Sequence, residues 1–83
     1  MKKVVIYTTP VCPYCVSAKR LLTKKGVAYV EIDVAGDDAA RIQLAERTGF
    51  LTVPQIFVGD EHVGGSDDLH ALDAAGKLDT LLA

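Results

Sequence analysis

The sequence lacks an excess of positive charge. Nine lysine and arginine residues stand against eleven aspartate and glutamate residues, which gives a formal net charge of −2. Proteins that bind nucleic acids or anionic membranes usually present a basic surface. The composition therefore disfavours both kinds of partner.

A long apolar run is also missing. Lys2 and Lys3 precede an apolar segment that breaks at the Thr-Thr-Pro of residues 8–10. This segment is too short for the core of a signal peptide and far too short for a membrane span. We therefore expect a cytoplasmic protein that does not enter a membrane.

Cysteine is scarce, since Cys12 and Cys15 are the two cysteines of the chain. Two cysteines cannot provide the disulfide framework of a small secreted domain. A disulfide that closes so short a loop also removes little entropy from the unfolded chain, so a purely structural bond is disfavoured. In a reducing compartment, a close pair more often carries out redox or metal chemistry.

What remains is typical of a small globular domain. Apolar residues make up 49% of the 83 residues and charged residues 24%, a balance that argues against disorder. Because a chain of this length has no room for a second core, residues 1–83 are predicted to form a single domain.

The cysteine pair lies between a predicted strand and a predicted helix. Residues 4–7 form an apolar run of β-branched and aromatic residues, and a helical pattern runs from the cysteines to about Lys25. Pro13 suits the first helical position. This arrangement places Cys12 on the first turn of the helix, where free N–H groups and the helix dipole stabilise a thiolate. Cys15 follows within one turn, so the pair can pass between dithiol and disulfide.

The rest of the chain predicts further strands and helices. They are an alternating strand at residues 27–34, a helix from about residue 39 to residue 48, a hairpin of residues 55–58 and 61–63, a helix capped by Ser66, and a last turn at residues 78–82. The helical connection between the first two strands implies a parallel β-α-β unit. The order β-α-β-α-β-β-α predicts an α/β fold of the minimal thioredoxin-like type, a four-stranded mixed sheet with flanking helices.

Several other side chains are expected to have structural roles and no part in the chemistry. Val16 is expected on the buried face of the first helix, and Phe50 and Phe57 in the core or on a face of the sheet. His62 and His70 could be considered as zinc ligands together with the cysteines. Their separation is longer than the usual histidine spacing of zinc sites, so no metal site is predicted.

Three motifs together carry a family resemblance. Tyr-Thr at residues 7–8 stands before the Cys-Pro-Tyr-Cys of residues 12–15, Thr-Val-Pro at residues 52–54 stands before an apolar strand, and Gly-Gly-Ser-Asp-Asp at residues 64–68 opens the last long helix. Each motif alone is a weak signal. Together, at this spacing and over essentially the whole chain, they resemble the glutaredoxins of the dithiol Cys-Pro-Tyr-Cys type.

The resemblance implies a glutathione-dependent thiol–disulfide oxidoreductase. Such an enzyme reduces protein disulfides and protein–glutathione mixed disulfides, with Cys12 as the nucleophile and Cys15 as the resolving cysteine. Glutathione would be a co-substrate, with no tightly bound cofactor. The other partners would be disulfide-bearing or glutathionylated proteins, and the chain would be a monomer.

The resemblance also implies a glutathione site. Pro54 would be a cis-proline beside the cysteines, and the backbone of Val53 would pair with the cysteine of glutathione. Tyr14 would pack along the ligand, while Ser66 and Asp67 would hold its γ-glutamyl end. The implied glutathione contacts are Tyr14, Arg41, Thr52, Val53, Pro54, Gly65, Ser66 and Asp67.

Thr9 departs from the family pattern. Many glutaredoxins have a lysine three residues before the first cysteine, where it meets a carboxylate of glutathione and favours the thiolate. Its absence could weaken glutathione binding or raise the pKa of the thiol. We expect Arg41, on the second helix, to supply the missing cation.

Two other functions stay open. The chain could be an electron donor that a thioredoxin reductase reduces, although Tyr14 and the motif at residues 64–68 disfavour this alternative. It could also be a carrier that dimerises around an iron–sulfur cluster held by the first cysteine and glutathione. The rigid Pro13 directly after Cys12 disfavours this second alternative.

Overall fold

A computed structural model describes residues 2–83, which form four strands and four helices. In chain order they are β1 Val4–Thr8, α1 Pro13–Lys24, β2 Tyr29–Asp33, α2 Asp38–Thr48, β3 Gln55–Val58, β4 Glu61–Gly64, α3 Ser66–Ala74 and α4 Leu78–Leu82. The predicted order of strands and helices is confirmed, and the predicted last turn is the short helix α4.

The strands form one mixed sheet in the order β2-β1-β3-β4. β1 pairs with β2 in parallel and with β3 antiparallel, and β3 pairs antiparallel with β4. The helix α1 carries the chain across the sheet between the two parallel strands, as a parallel pair requires. The four-stranded mixed sheet of the thioredoxin-like fold is therefore confirmed.

One face of the sheet carries the main core. Ile6 on β1 and Ile56 on β3 are register partners, and both are fully buried under helical side chains such as Leu22 and Leu69. Val16 was expected on this buried face, but it is 39% exposed. The buried side of α1 consists of Cys15, Ala18, Leu21 and Leu22. Val16 directly follows Cys15, and because successive residues of a helix point in different directions, its side chain lies off this buried side.

The opposite face packs against α2. The guanidinium carbon of Arg47 lies 4.3 Å from the centre of the Phe57 ring, and its Nη1 donates to the hydroxyl of Tyr7 at 3.1 Å. Tyr7 and Phe57 contact each other edge to face. Helices therefore cover both faces of the central strands, as predicted for β1.

Within residues 2–83, no helix is both long enough and apolar enough to cross a membrane.

Candidate active site

The two cysteines lie where β1 gives way to α1. Cys12 has an extended backbone and is the N-cap of α1, and Pro13 occupies the first helical position as predicted. Proline costs nothing there, because the first N–H groups of a helix have no partner within it. The backbone N–H of Cys15 donates to the sulfur of Cys12, with an N–Sγ distance of 3.1 Å. The turn thus directs a helical N–H group at one of the two sulfurs.

The structure joins Cys12 and Cys15 in a disulfide, with 5.2 Å between their Cα atoms. Their accessibility differs, since Cys12 is 9% exposed and Cys15 is 1% exposed. Cys12 is therefore the more accessible residue of the pair. This is the order of access that the sequence predicted.

The Thr-Val-Pro segment lies beside this turn. The Val53–Pro54 peptide bond is cis, as the family resemblance implied. The carbonyl oxygen of Val53 lies 3.8 Å from the sulfur of Cys12, across 41 positions of sequence. The fold therefore brings the backbone before Pro54 next to the reactive pair.

A groove of about 300 Å³ opens beside these two segments. We call it the active-site groove, and its lining residues are Tyr14, Phe50, Thr52, Val53, Pro54, Gln55, Gly65, Ser66, Asp67 and Asp68. Every residue predicted to contact glutathione lines this groove, with the exception of Arg41. The three sequence motifs, far apart in the chain, thus meet around one concave surface.

Arg41 lies near one end of the groove without lining it. Its Nη2 is 3.5 Å from the carbonyl oxygen of Leu51, the residue before Thr52. The side chain is on α2 and is half-buried. A contact between Arg41 and a ligand in the groove therefore stays a prediction.

The first turn of α3 forms the far side of the groove. Ser66 was predicted as the N-cap of this helix, but the N-cap is Gly65 and Ser66 is the first helical residue. The carboxylate of Asp68, the third helical residue, accepts the N–H of Gly65 at 3.0 Å, as the third residue of a capping box does, while glycine at the N-cap offers no side chain to the first-turn N–H groups. Gly64 has a φ of +120°, and a side chain at this position would collide with the Asp68 carboxylate. This turn therefore requires glycine at residue 64.

Phe50 is a groove residue that the sequence interpretation missed. It was expected in the core or on the sheet, but it is 57% exposed. Gly49 ends α2 in the left-handed conformation, and Phe50 follows in the loop that leads to Thr52. The position of this aromatic residue, between a glycine that ends a helix and the Thr-Val-Pro motif, was the signal in the sequence that could have indicated a groove residue.

The Lys19 cation on α1 has a partner of its own. Lys19 pairs with the Glu31 carboxylate at 3.1 Å. The hydroxyl of Thr8 donates to the same carboxylate at 2.7 Å. The hydrogen bond from Thr8 and, to a smaller extent, that from Lys19 hold the pKa of Glu31 below its ordinary value. Within residues 2–83, no group of three or more histidine, cysteine or acidic side chains is arranged to hold a metal ion.

The family model for Glutaredoxin matches residues 4–63, which is more than half of the 83 residues. The chain belongs to the glutaredoxin family. It is 58% identical to a glutaredoxin of Pseudomonas aeruginosa over the whole of this chain and 99% of that protein. It is 52% identical to glutaredoxin 3 of Escherichia coli K12, covering 99% of each chain.

The fold agrees with this membership. The crystal structure of a buckwheat glutaredoxin–glutathione complex is similar with a TM-score of 0.92 at 32% identity, over 98% of this chain and 76% of that one. Glutaredoxins are thiol–disulfide oxidoreductases that depend on glutathione. This glutaredoxin is therefore an enzyme of that class, and Cys12 and Cys15 are its redox pair.

Proposed function

We propose that this glutaredoxin attacks its substrates with Cys12, resolves protein-bound intermediates with Cys15, and binds glutathione in the active-site groove. The observation that carries the proposal is the position of Cys12. Its sulfur accepts the N–H of Cys15 at 3.1 Å, and the Val53 carbonyl at the groove is 3.8 Å away. The nucleophile and the ligand site are therefore adjacent.

The first route acts on glutathionylated proteins. The thiolate of Cys12 attacks the glutathione sulfur of the mixed disulfide, so that a Cys12–glutathione disulfide forms and the protein thiolate leaves and takes up a proton. A second glutathione thiolate then attacks the glutathione sulfur bound to Cys12. This step releases oxidised glutathione and restores the Cys12 thiolate, and Cys15 takes no part.

The second route acts on protein disulfides. Cys12 attacks one sulfur and forms a mixed disulfide with the substrate protein, releasing the first substrate thiol. Cys15, one turn further along α1, then attacks the sulfur of Cys12, which releases the second thiol and leaves the Cys12–Cys15 disulfide. Two glutathione molecules supply the two electrons that reduce this disulfide.

The chemistry of the groove suits glutathione, a tripeptide with two carboxylates and an amine. The first turn of α3 offers free N–H groups at Ser66 and Asp67 for a carboxylate, and the Asp67 side chain can accept an ammonium group. The Val53 backbone is available to pair with an extended peptide. The buckwheat glutaredoxin solved with glutathione, similar over 98% of this chain, supports the binding of glutathione by this protein.

The rim of the groove suits protein partners. Tyr14 and Phe50 line the groove and are exposed, as are Val11 directly before Cys12 and Leu51 directly before Thr52. Clusters of exposed apolar residues often mark protein interaction sites. We propose that residues 1–83 work as a single domain and a monomer in the cytoplasm, where substrate proteins bind over this rim.

The source of electrons tests the proposal directly. In the presence of this protein, a small glutathione mixed disulfide should be reduced with continuous oxidation of NADPH when free glutathione and glutathione reductase are supplied. The same reaction with a thioredoxin reductase in place of glutathione and its reductase should be much slower. If only the thioredoxin reductase supports turnover, glutathione is not the reductant, and the protein is instead an electron donor that a thioredoxin reductase reduces.

A cluster carrier makes a different prediction. The protein purified without oxygen and in the presence of glutathione should be colourless and elute as a monomer. A brown dimer that bleaches in air would instead support the iron–sulfur alternative.

A further inference from the structure

Gln55 is a buried polar residue that lines the active-site groove. It opens β3 and is 2% exposed, while the other residues of the strand, Ile56, Phe57 and Val58, are apolar and buried. Burial of an amide is unfavourable unless its hydrogen bonds are satisfied. An apolar side chain could occupy the same space without that requirement, so the amide points to a specific contact.

The hydrogen bonds of Gln55 fix the orientation of its amide. The side-chain nitrogen lies 3.0 Å from the carbonyl oxygen of Thr52 and 3.4 Å from the Thr52 hydroxyl. Since a carbonyl oxygen can only accept, the group that faces it is the NH₂. The side-chain oxygen of Gln55 then faces Nε2 of His62 at 2.7 Å. This oxygen can also only accept, so His62 must carry a proton on Nε2.

The result is a one-directional chain of hydrogen bonds. His62 donates to Gln55, and Gln55 donates to Thr52. The imidazole that starts the chain is held by its neighbours, because its ring centre lies 5.1 Å from that of Phe57 and 6.4 Å from that of Phe50. Phe57 is also the cross-strand partner of His62. The chain therefore begins at a side chain packed on the sheet.

The chain ends at the backbone that faces the cysteines. The Thr52 carbonyl is held by Gln55, and the next carbonyl, that of Val53, lies 3.8 Å from the sulfur of Cys12. Fixing one peptide group restricts the orientation of the one that follows. The backbone of residues 52–54 is the part of the groove proposed to pair with glutathione.

We infer that Gln55, oriented by His62, is a positioning residue that holds the backbone of residues 52–54 in the geometry that binds glutathione. This inference rests on the proposed function of the groove. Gln55 acts on the affinity for the glutathione part of a substrate and leaves the reactivity of Cys12 unchanged. Its role is thus separable from thiol chemistry.

A Gln55→Met variant tests the first link, because it keeps the length of the side chain and removes the amide. With a glutathionylated peptide as substrate, KM should rise about fivefold, as expected for the loss of one hydrogen bond, while kcat stays within about twofold. The rate at which iodoacetamide alkylates reduced Cys12 should not change. An unchanged KM, or an equal loss of kcat or alkylation rate, would overturn the inference.

Variants of His62 test the second link. His62→Gln keeps a donor at nearly the same reach and should retain the native KM, whereas His62→Phe keeps an aromatic ring without a donor and should raise KM about threefold. Glu61→Gln is the matched control, because Glu61 is the exposed preceding residue of β4. Equal KM values for His62→Gln and His62→Phe would contradict the inference.

The unmodified protein offers a third test that does not depend on any variant folding. Long-range ¹H–¹⁵N spectra should show that neutral His62 carries its proton on Nε2, and a proton on Nδ1 would overturn the inference. The two proposals fail separately. A native protein without glutathione-dependent turnover refutes the proposed function, whereas normal native turnover with unaffected variants refutes the positioning role alone.

Discussion

The backbone nitrogen of Cys15 lies 3.1 Å from the sulfur of Cys12, so the first turn of α1 points an N–H group at the sulfur that its N-cap presents. In the reduced protein, the same N–H and the positive end of the helix dipole favour negative charge on Cys12. Cys15 lies deeper and has no such position at the helix end. We therefore expect the two thiols to be unequal in reactivity before any substrate binds.

Thr9 gives a way to change this balance. A Thr9→Lys variant introduces a cation three residues before Cys12, and a nearby positive charge favours the thiolate. We expect alkylation of reduced Cys12 by iodoacetamide at neutral pH to become about threefold faster, a modest effect because solvent screens the charge. Thr9→Gln is the control of similar length. A rate that rises equally in both variants would rule out the electrostatic explanation.

Asp67 is expected to bind the amine of glutathione. Asp67→Asn should raise KM for a glutathionylated peptide about tenfold, because a hydrogen bond between opposite charges is lost. Asp38→Asn is the matched control, since Asp38 is an exposed acidic residue in the first turn of α2. Both substitutions weaken the interaction with a helix dipole, but only Asp67 lines the groove. Similar KM values for the two variants would argue against a direct contact.

Arg41 is expected to reach a carboxylate of glutathione from the end of the groove. Arg41→Gln should raise KM for a glutathionylated peptide about threefold at low salt, and the difference should shrink as added salt screens the charge. Lys24→Gln, at the exposed end of α1, is the control for net charge. An Arg41→Gln enzyme with native KM at low salt would show that another group replaces the missing lysine, or that none is needed.

Glu31 links stability to pH. Hydrogen bonds from Thr8 and Lys19 lower its folded-state pKa below the ordinary value of 4.5, so the folded state holds the charged form more strongly than the unfolded state does. This contribution is complete above the ordinary pKa and is lost as pH falls through the folded-state pKa. Glu31→Gln should therefore lower the free energy of unfolding at pH 7 by less than about 1 kcal/mol, since the pair is partly exposed.

Urea unfolding of the native protein and Glu31→Gln at several pH values measures this difference. It should shrink steadily on acidification below the ordinary pKa. Glu46→Gln, an exposed substitution on α2, serves as the control. A difference that grows as pH falls would show that the assigned direction of the pKa shift is wrong.

Local signals in the sequence predicted the fold, and the family resemblance implied most of the groove. Pro13 at the start of α1 and Gly49 after α2 act within their own turns, so their effects can be predicted without knowing the tertiary structure. The pairing of β1 with β2 followed from the single helix between them. The motifs at residues 52–54 and 64–68 carried the family resemblance, and both line the groove.

The errors concern contacts between distant residues or choices within a single turn. Phe50 is apolar, and its exposure depends on where the loop after α2 meets the groove. Ser66 is a good capping residue, but the helix begins one residue earlier than predicted, with Gly65 as its N-cap and the N–H of Gly65 bound by the carboxylate of Asp68. The bond between Gln55 and His62 depends on the register of β3 and β4, which the sequence alone did not give.

The central claim is that Cys12 alone exchanges with glutathione, whereas Cys15 is needed for protein disulfides. The most direct measurement is glutathione-dependent reduction of a small glutathione mixed disulfide, coupled to glutathione reductase and NADPH, by the native enzyme, Cys12→Ser and Cys15→Ser. The account predicts that Cys12→Ser has no activity above background and that Cys15→Ser keeps most of the native rate. Activity that survives in Cys12→Ser, or is lost in Cys15→Ser, would contradict it.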